Sequence, residues 1–300
     1  MGRSPNGFRE QLMEALTELL WRQWSALGIA SFVEPQKIWV IDPEALWIAT
    51  AFLKEIDKRL YEVAETWILK YRDLWMRSRF KKLLRSYREI REKLWGSGKS
   101  TPLSFVEPRQ SSARIKERQK EVIRPIPMRE PSLIRLKLRG IFGRDARSEV
   151  LLYFLYHREG TSLSIAKETF LEQKSVYNVA QKWHEVGILE RREGRKTGYV
   201  MSDPVRKAWL KVFGIRTLPQ YLNWGMVFTG LCMIVETLGA EPWNDDVYLR
   251  ASFYRDVYPQ FSVLWEKLQL SPPDPTLYPG EAFTPVFEDA LLKTIIRLGV

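Results

Sequence analysis

No stretch restricts this chain more than Arg144 to Ser202, RDARSEVLLYFLYHREGTSLSIAKETFLEQKSVYNVAQKWHEVGILERREGRKTGYVMS. Within it Val176, Val179, Ala180, Trp183 and Val186 fall at i, i+3, i+4, i+7 and i+10, so one side of a helix turns them all toward a small core. Ser175, Tyr177, Asn178, Gln181 and Lys182 are left on the other side, and each of them can hydrogen-bond.

Upstream, Asp145 and Ser148 are of the type that caps a helix, and Val150, Leu151, Phe154 and Leu155 form its apolar stripe, with Gly160 at its end. Ser162 or Ser164 opens a short second helix with Leu163, Ile165, Ala166 and Phe170 as its core residues. Gly187 supplies the exit from the third helix. Ile188 to Arg192 and Tyr199 to Ser202 read as two strands around the loop Glu193-Gly194-Arg195-Lys196-Thr197-Gly198, which has glycines for the reversal and cations at its tip. Helix, short helix, turn, helix, strand, basic loop and strand is the order of a winged helix-turn-helix. The fold class expected is therefore mainly α with a small β wing, a winged helix-turn-helix flanked by N- and C-terminal helical domains.

The runs Ser175-Val176-Tyr177-Asn178-Val179, Gly187-Ile188-Leu189-Glu190-Arg191-Arg192 and Gly198-Tyr199-Val200 resemble the third helix and wing of bacterial winged-helix transcriptional regulators of the MarR and ArsR type. This covers about a fifth to a quarter of the chain. The sequence is similar more widely to a group of bacterial helix-turn-helix proteins with a Trp-rich first helix (here LWRQWSALGI), a WVIDPEAL segment, a winged helix and a PDP…YPGEAF segment. That similarity supports the domain order and carries no chemistry. The closer resemblance implies duplex DNA as partner, with Lys174, Ser175, Tyr177, Asn178 and Gln181 nearest the bases and Lys182 toward the backbone. Arg195 and Lys196 would then reach an adjacent minor groove or its phosphates. Winged helices also dock proteins, so a non-catalytic assembly subunit or antitoxin-like partner of a mobile-element or defence system is the alternative.

Charge is informative through its distribution. Residues 70–130 carry 18 Lys and Arg against 7 Asp and Glu, and residues 131–202 carry 13 against 8, whereas both ends of the chain are mildly acidic. A sequence-independent attraction to phosphate has that footprint, and so does a solvated linker. Arg77, Arg79, Lys81, Lys82, Arg85, Arg88, Arg91 and Lys93, interleaved with Phe80 and Tyr87, would present a ladder of cations on one helix face. Such a face can track a phosphate backbone, or pair with Glu89 and Glu92 and remain solvated.

Around this centre the chain divides into four expected units: an N-terminal helical domain with one short strand (residues 1–96), a basic Pro/Ser-rich linker (97–131), the winged helix (132–203) and a C-terminal helical domain (204–300). Residues 8–28 form a first helix, Lys37–Asp42 a strand, and Asp42-Pro43 opens a mostly apolar helix. Asp57 caps the next, whose apolar face carries on through Trp75, Phe80 and Tyr87. The linker is long enough to be mobile or ordered only by a partner, and Ser132–Phe142 is a short helix against the winged helix or a second subunit. Asn244 or Asp245 caps a helix interrupted near Pro259, and Phe283–Leu298 is the last helix. The C-terminal unit has apolar surface to spare, which a homodimer interface or its own core would use.

Several classes are disfavoured. Gly96-Ser97-Gly98-Lys99-Ser100-Thr101 ends like a phosphate-binding loop, but the motif needs a glycine at position 93, which is Lys93. His157 and His184 have no Cys or second His at ligand spacing, so no zinc or other metal is expected, nor any cofactor, and no Ser/His/Asp order points to an enzyme. Without an apolar leader or an uncharged apolar run, the expectation is a cytoplasmic protein with no membrane span and one structural thiol, Cys232.

Overall fold

The computed structural model describes residues 5–95, 108, 121–194, 197–239 and 246–299. It is mainly helical, with one small three-stranded antiparallel sheet. The first helix, α1 (Pro5–Ala26), buries Phe8, Leu12, Leu16, Leu20 and Trp24. Its exit, Gly28, has φ +96°, and a Cβ there would stand 2.9 Å from the carbonyl oxygen of Arg124. Only glycine relieves both constraints. The close approach arises because residues 121–130 run beside the end of α1: Ala30 N donates to Val122 O, Arg124 N to Gly28 O, and Ile123 is buried. Lys70 Nζ and Tyr71 Oη donate to the carbonyls of Ile123 and Arg124. The last part of the supposed linker is thus fastened to the body, because apolar Val122, Ile123, Ile126 and Met128 pack on its core.

Lys37–Asp42 does not form the expected strand. It makes one parallel bridge, Trp39 with Gln220, after which the amide of Ile41 turns to Ser132 O and Asp42 becomes a helix cap. Asp42 accepts from the amide of Ala45 and Pro43 opens α2 (Pro43–Phe52), whose residues 43–51 are all buried, Glu44 included. Asp57 caps α3 (Lys58–Lys70) as read from the sequence. The apolar face does not run straight on: a turn over residues 71–76 precedes α4 (Arg77–Trp95), and Met76 N donates to Glu44 Oε1.

Toward the other end lie α9 (Asp203–Val212), α10 (Trp224–Leu238), α11 (Val247–Lys267) and α12 (Phe283–Gly299). Asp246 caps α11, while Asn244 and Asp245 lie outside the described residues. Pro259 does not interrupt α11, because Tyr254, Val257, Phe261 and Trp265 hold one buried stripe across it. The N- and C-terminal helices are not two domains. α1 packs on α12 and α2 on α10, and Trp24, Trp47, Trp67, Trp224 and Trp265 belong to one continuous core. The sequence could not show this, since apolar periodicity marks a buried face without naming its partner.

A second core underlies the central segment. It joins α5 (Ile134–Phe142, entered through a 3-10 turn at Pro131–Leu133), α6 (Ala146–Tyr156), α7 (Ser162–Thr169), α8 (Gln173–Glu185) and β3 (Gly198–Val200), with β1 (Glu159–Thr161) and β2 (Glu190–Arg192) paired to either edge of β3. The strand order is β1-β3-β2, all antiparallel, with Gly160 opposite Tyr199 and Arg191 opposite Tyr199 on the other edge. Gly160 does not end α6, which stops at His157. It sits in β1, where a Cβ would come within 2.6 Å of Tyr153 Oη. Ser162 is the first residue of α7, while the cap itself is Thr161, which exchanges hydrogen bonds with Ser164 in a capping box.

Candidate nucleic-acid interface

Helix α8 is positioned from below by three side chains. Val176, Ala180 and Trp183 are buried against α6 and α7, and Val179 is half-buried. Val186 departs from the expected inner face. The helix ends at Glu185, Gly187 turns with φ +75°, and Val186 is left 58% exposed.

Above that base, Lys174, Ser175, Tyr177, Asn178 and Lys182 are exposed to solvent, with no other part of the described chain covering them. The structure brings these five together on one face. Gln181 differs. It is half-buried, accepts from Tyr199 Oη at 3.4 Å and reaches Glu185 Oε1 at 3.5 Å, so its amide is partly committed to the base of the sheet. Lys182 pairs with Glu185 at 3.4 Å, a solvated contact that a phosphate can displace. Arg195 and Lys196 lie outside the described residues. The edge strand β2 nonetheless carries Arg191 and Arg192, to which the sequence pattern assigns no role; Arg192 pairs with Glu159 at 2.9 Å. Alternation would send these neighbouring strand residues to opposite faces, but both are exposed because β2 is an edge strand with no buried residue.

Behind the module lies a site that sequence reading missed. Arg79 of α4, Arg135 and Arg139 of α5, Asp42 and Glu44 at the start of α2, and Glu149 of α6 are all 3% exposed or less. Arg79 reaches Asp42 at 2.5 Å and Glu44 at 2.9 Å, and donates from Nε to the carbonyl of Thr169 at the end of α7. Arg139 forms two bonds to Glu44, at 2.7 and 2.8 Å, two to Glu149 Oε1, at 2.6 and 3.1 Å, and one to Leu74 O. Arg135 contacts Asp42 and stands 3.4 Å from Glu149. Three cations thus meet three anions, and the charges cancel. Burial alone would raise the pKa of Asp42 and Glu149, but the Arg135 and Arg79 charges at Asp42, and Arg135, Arg139 and Arg79 at Glu149, outweigh it and hold both below the usual range. The cluster clamps α6 and α7 to the helical body, so the exposed face of α8 is held in one orientation. A lone Glu44 in the otherwise uncharged run PEALWIATAF was the available signal.

The expected ladder on α4 is correspondingly divided. Arg79 belongs to the cluster and Arg91 is buried against Glu236 at 2.6 Å, with Tyr87 Oη donating to the same carboxylate. Arg77, Lys81, Arg85, Arg88 and Lys93 are exposed.

Among the described residues no group of three His, Cys, Asp or Glu side chains could hold a metal ion, and no helix is long and apolar enough to cross a membrane. Cys232 is buried, and burial pushes its thiol well above the ordinary range. A cleft of about 710 Å³ lined by Trp39, Gln220, Lys267, Leu268 and Arg297 among others contains no carboxylate or imidazole. Comparison of the chain with protein-family models, with curated proteins and with solved structures returned no match.

Proposed function

We propose that the chain binds duplex DNA with sequence preference and acts as a cytoplasmic transcriptional regulator, using α6 to β3 as a winged helix-turn-helix. The single observation that carries this reading is the outer face of α8, which is open and hydrogen-bonding above a base packed on α6 and α7. A helix of this diameter fits the major groove, and its N-terminal half supplies the base contacts in such modules. Ser175, Tyr177 and Asn178 face the base edges, with Asn178 suited to bidentate contact with adenine, while Lys174 and Lys182 go to the backbone. Gln181 contributes less than sequence alone suggests, because Tyr199 and Glu185 hold it. Arg191 joins Arg195 and Lys196 as the cationic side of the wing.

A protein partner is supported by a separate feature. Ile141 and Val212 are 60% and 70% exposed, α9 has no buried residue, and Trp209 packs edge-on to Phe142 at 5.7 Å. A second copy of the chain covering the end of α5 and α9 would bury this surface and give a dimer that reads two half-sites. Selection of bound sequences from a random duplex pool tests both: an enriched motif supports the regulator, and an inverted repeat within it supports the dimer. Recovery of sequences no different from the input pool would favour a protein-docking subunit.

A further inference from the structure

We infer that the exposed side of α4 is a second, sequence-blind phosphate-binding surface that extends the contact of α8 along the DNA backbone. The inference rests on the DNA-binding reading and adds to it a site outside the winged helix. Arg77, Lys81, Arg85 and Arg88 recur at spacings of four, four and three residues, so they form one stripe on the helix. From first to last the stripe spans about 16 Å. Arg79 and Arg91, which interrupt the cation run in sequence, are removed from this surface by Asp42, Glu44 and Glu236. Arg77, Lys81 and Arg88 have no ion-pair partner among the described residues, although Glu89 and Glu92 lie on the same helix.

What connects the stripe to α8 is Glu172, the residue at the N-terminal cap of that helix. Lys82 Nζ reaches Glu172 at 3.1 Å and Arg85 lies 4.0 Å from it. These contacts bring the middle of α4 beside the end of α8 that carries Lys174 and Ser175, and they offset the charge of Glu172. A duplex seated on that end of α8 therefore meets the α4 stripe next. Backbone phosphate is the chemistry that fits, because the stripe offers positive charge at regular helical intervals and Glu172, the acid beside its middle, is already paired with Lys82.

The test is the salt dependence of duplex binding by the full chain, read by fluorescence anisotropy for wild type, the triple variant Arg77→Gln/Lys81→Gln/Arg88→Gln, and Asn178→Ala. Removing three phosphate-binding cations should lower the slope of log affinity against log salt by about 2 to 3, equally for preferred and unrelated duplexes. Asn178→Ala should leave the slope unchanged and reduce discrimination between duplexes. Hydroxyl-radical footprints should shorten on one side in the triple variant alone. An unchanged slope and footprint in a triple variant that melts like wild type would overturn the α4 surface while leaving α8 as the reader. Absence of any duplex binding by wild type would overturn both.

Discussion

Helices α4 and α8 are both strongly amphipathic, yet they divide the work of charge in opposite ways. The inner face of α8 is wholly apolar (Val176, Ala180, Trp183) and its outer face is largely neutral and hydrogen-bonding. On α4 the inner face adds buried Arg79 and Arg91 to Phe80, Leu83, Leu84 and Tyr87, and the outer face is a row of cations. The same residue type thus fastens the fold on one side of α4 and is free for a polyanion on the other. What separates the two fates is the acid opposite each position: Asp42, Glu44 and Glu236 are folded against Arg79 and Arg91, while no described acid is folded against Arg77, Lys81 or Arg88.

The contrast is open to direct attack, beginning with the largest effects. Arg79→Ala leaves Asp42 and Glu44 short of a counter-charge in a dry environment and should cost about 3 to 5 kcal/mol in urea unfolding at neutral pH. Trp183→Ala on α8 should cost a similar amount, about 3 to 5 kcal/mol, through the cavity it leaves. The two losses are separable by pH. Asp42 and Glu149 have lowered pKa values in the folded chain, so their contribution is complete above the ordinary values of 3.8 and 4.5 and disappears as pH falls through the lower folded values. The penalty of Arg79→Ala should therefore shrink in acid, and that of Trp183→Ala should not. If both respond alike to pH, the electrostatic description of the inner face of α4 is wrong.

Next in size, Asn178→Ala should lose about 1 to 3 kcal/mol of preference at a single base pair, measured by competition between duplexes, with stability unchanged. Val186→Ser should alter stability by less than about 0.5 kcal/mol, because the side chain lies outside the core that its spacing suggested. The smallest effect concerns His157, stacked on Tyr153 at 4.4 Å, whose pKa is lowered by burial from 6.5. Its stabilisation is present above that value and declines as pH drops toward the folded pKa, so wild type should show a shallow fall in melting temperature between pH 7 and 5. Replacing the imidazole by an uncharged aromatic ring in His157→Phe should flatten it.

How far the sequence led depended on whether a signal was local. The order of elements from α6 to β3 could be read because helical spacing, Gly187 and the capping residues act within a few positions. The inner and outer faces of α8 were legible for the same reason. β1 was the exception, because its only ladder partner, β3, lies far along the chain and no local signal marks the pairing. Joining the two ends of the chain into one core, and bringing Asp42, Glu44 and Glu149 to three arginines, both depend on contacts between residues far apart in sequence. An arginine in an amphipathic helix reads as exposed until the acid that will neutralise it is known. Val186 failed for a subtler reason: its spacing was right, but the helix stopped one residue before it.

Cross-linking from position 178 tests the role of α8 most directly. Cys232 is buried and is the sole cysteine, so Asn178→Cys can be labelled alone with a photoreactive group and irradiated on a selected duplex. Adduct formation at one base position in the major groove is the result expected. Labelled protein that stays bound to the duplex yet forms no base adduct, or forms adducts spread evenly along it, would contradict the assignment of α8 as the reading helix.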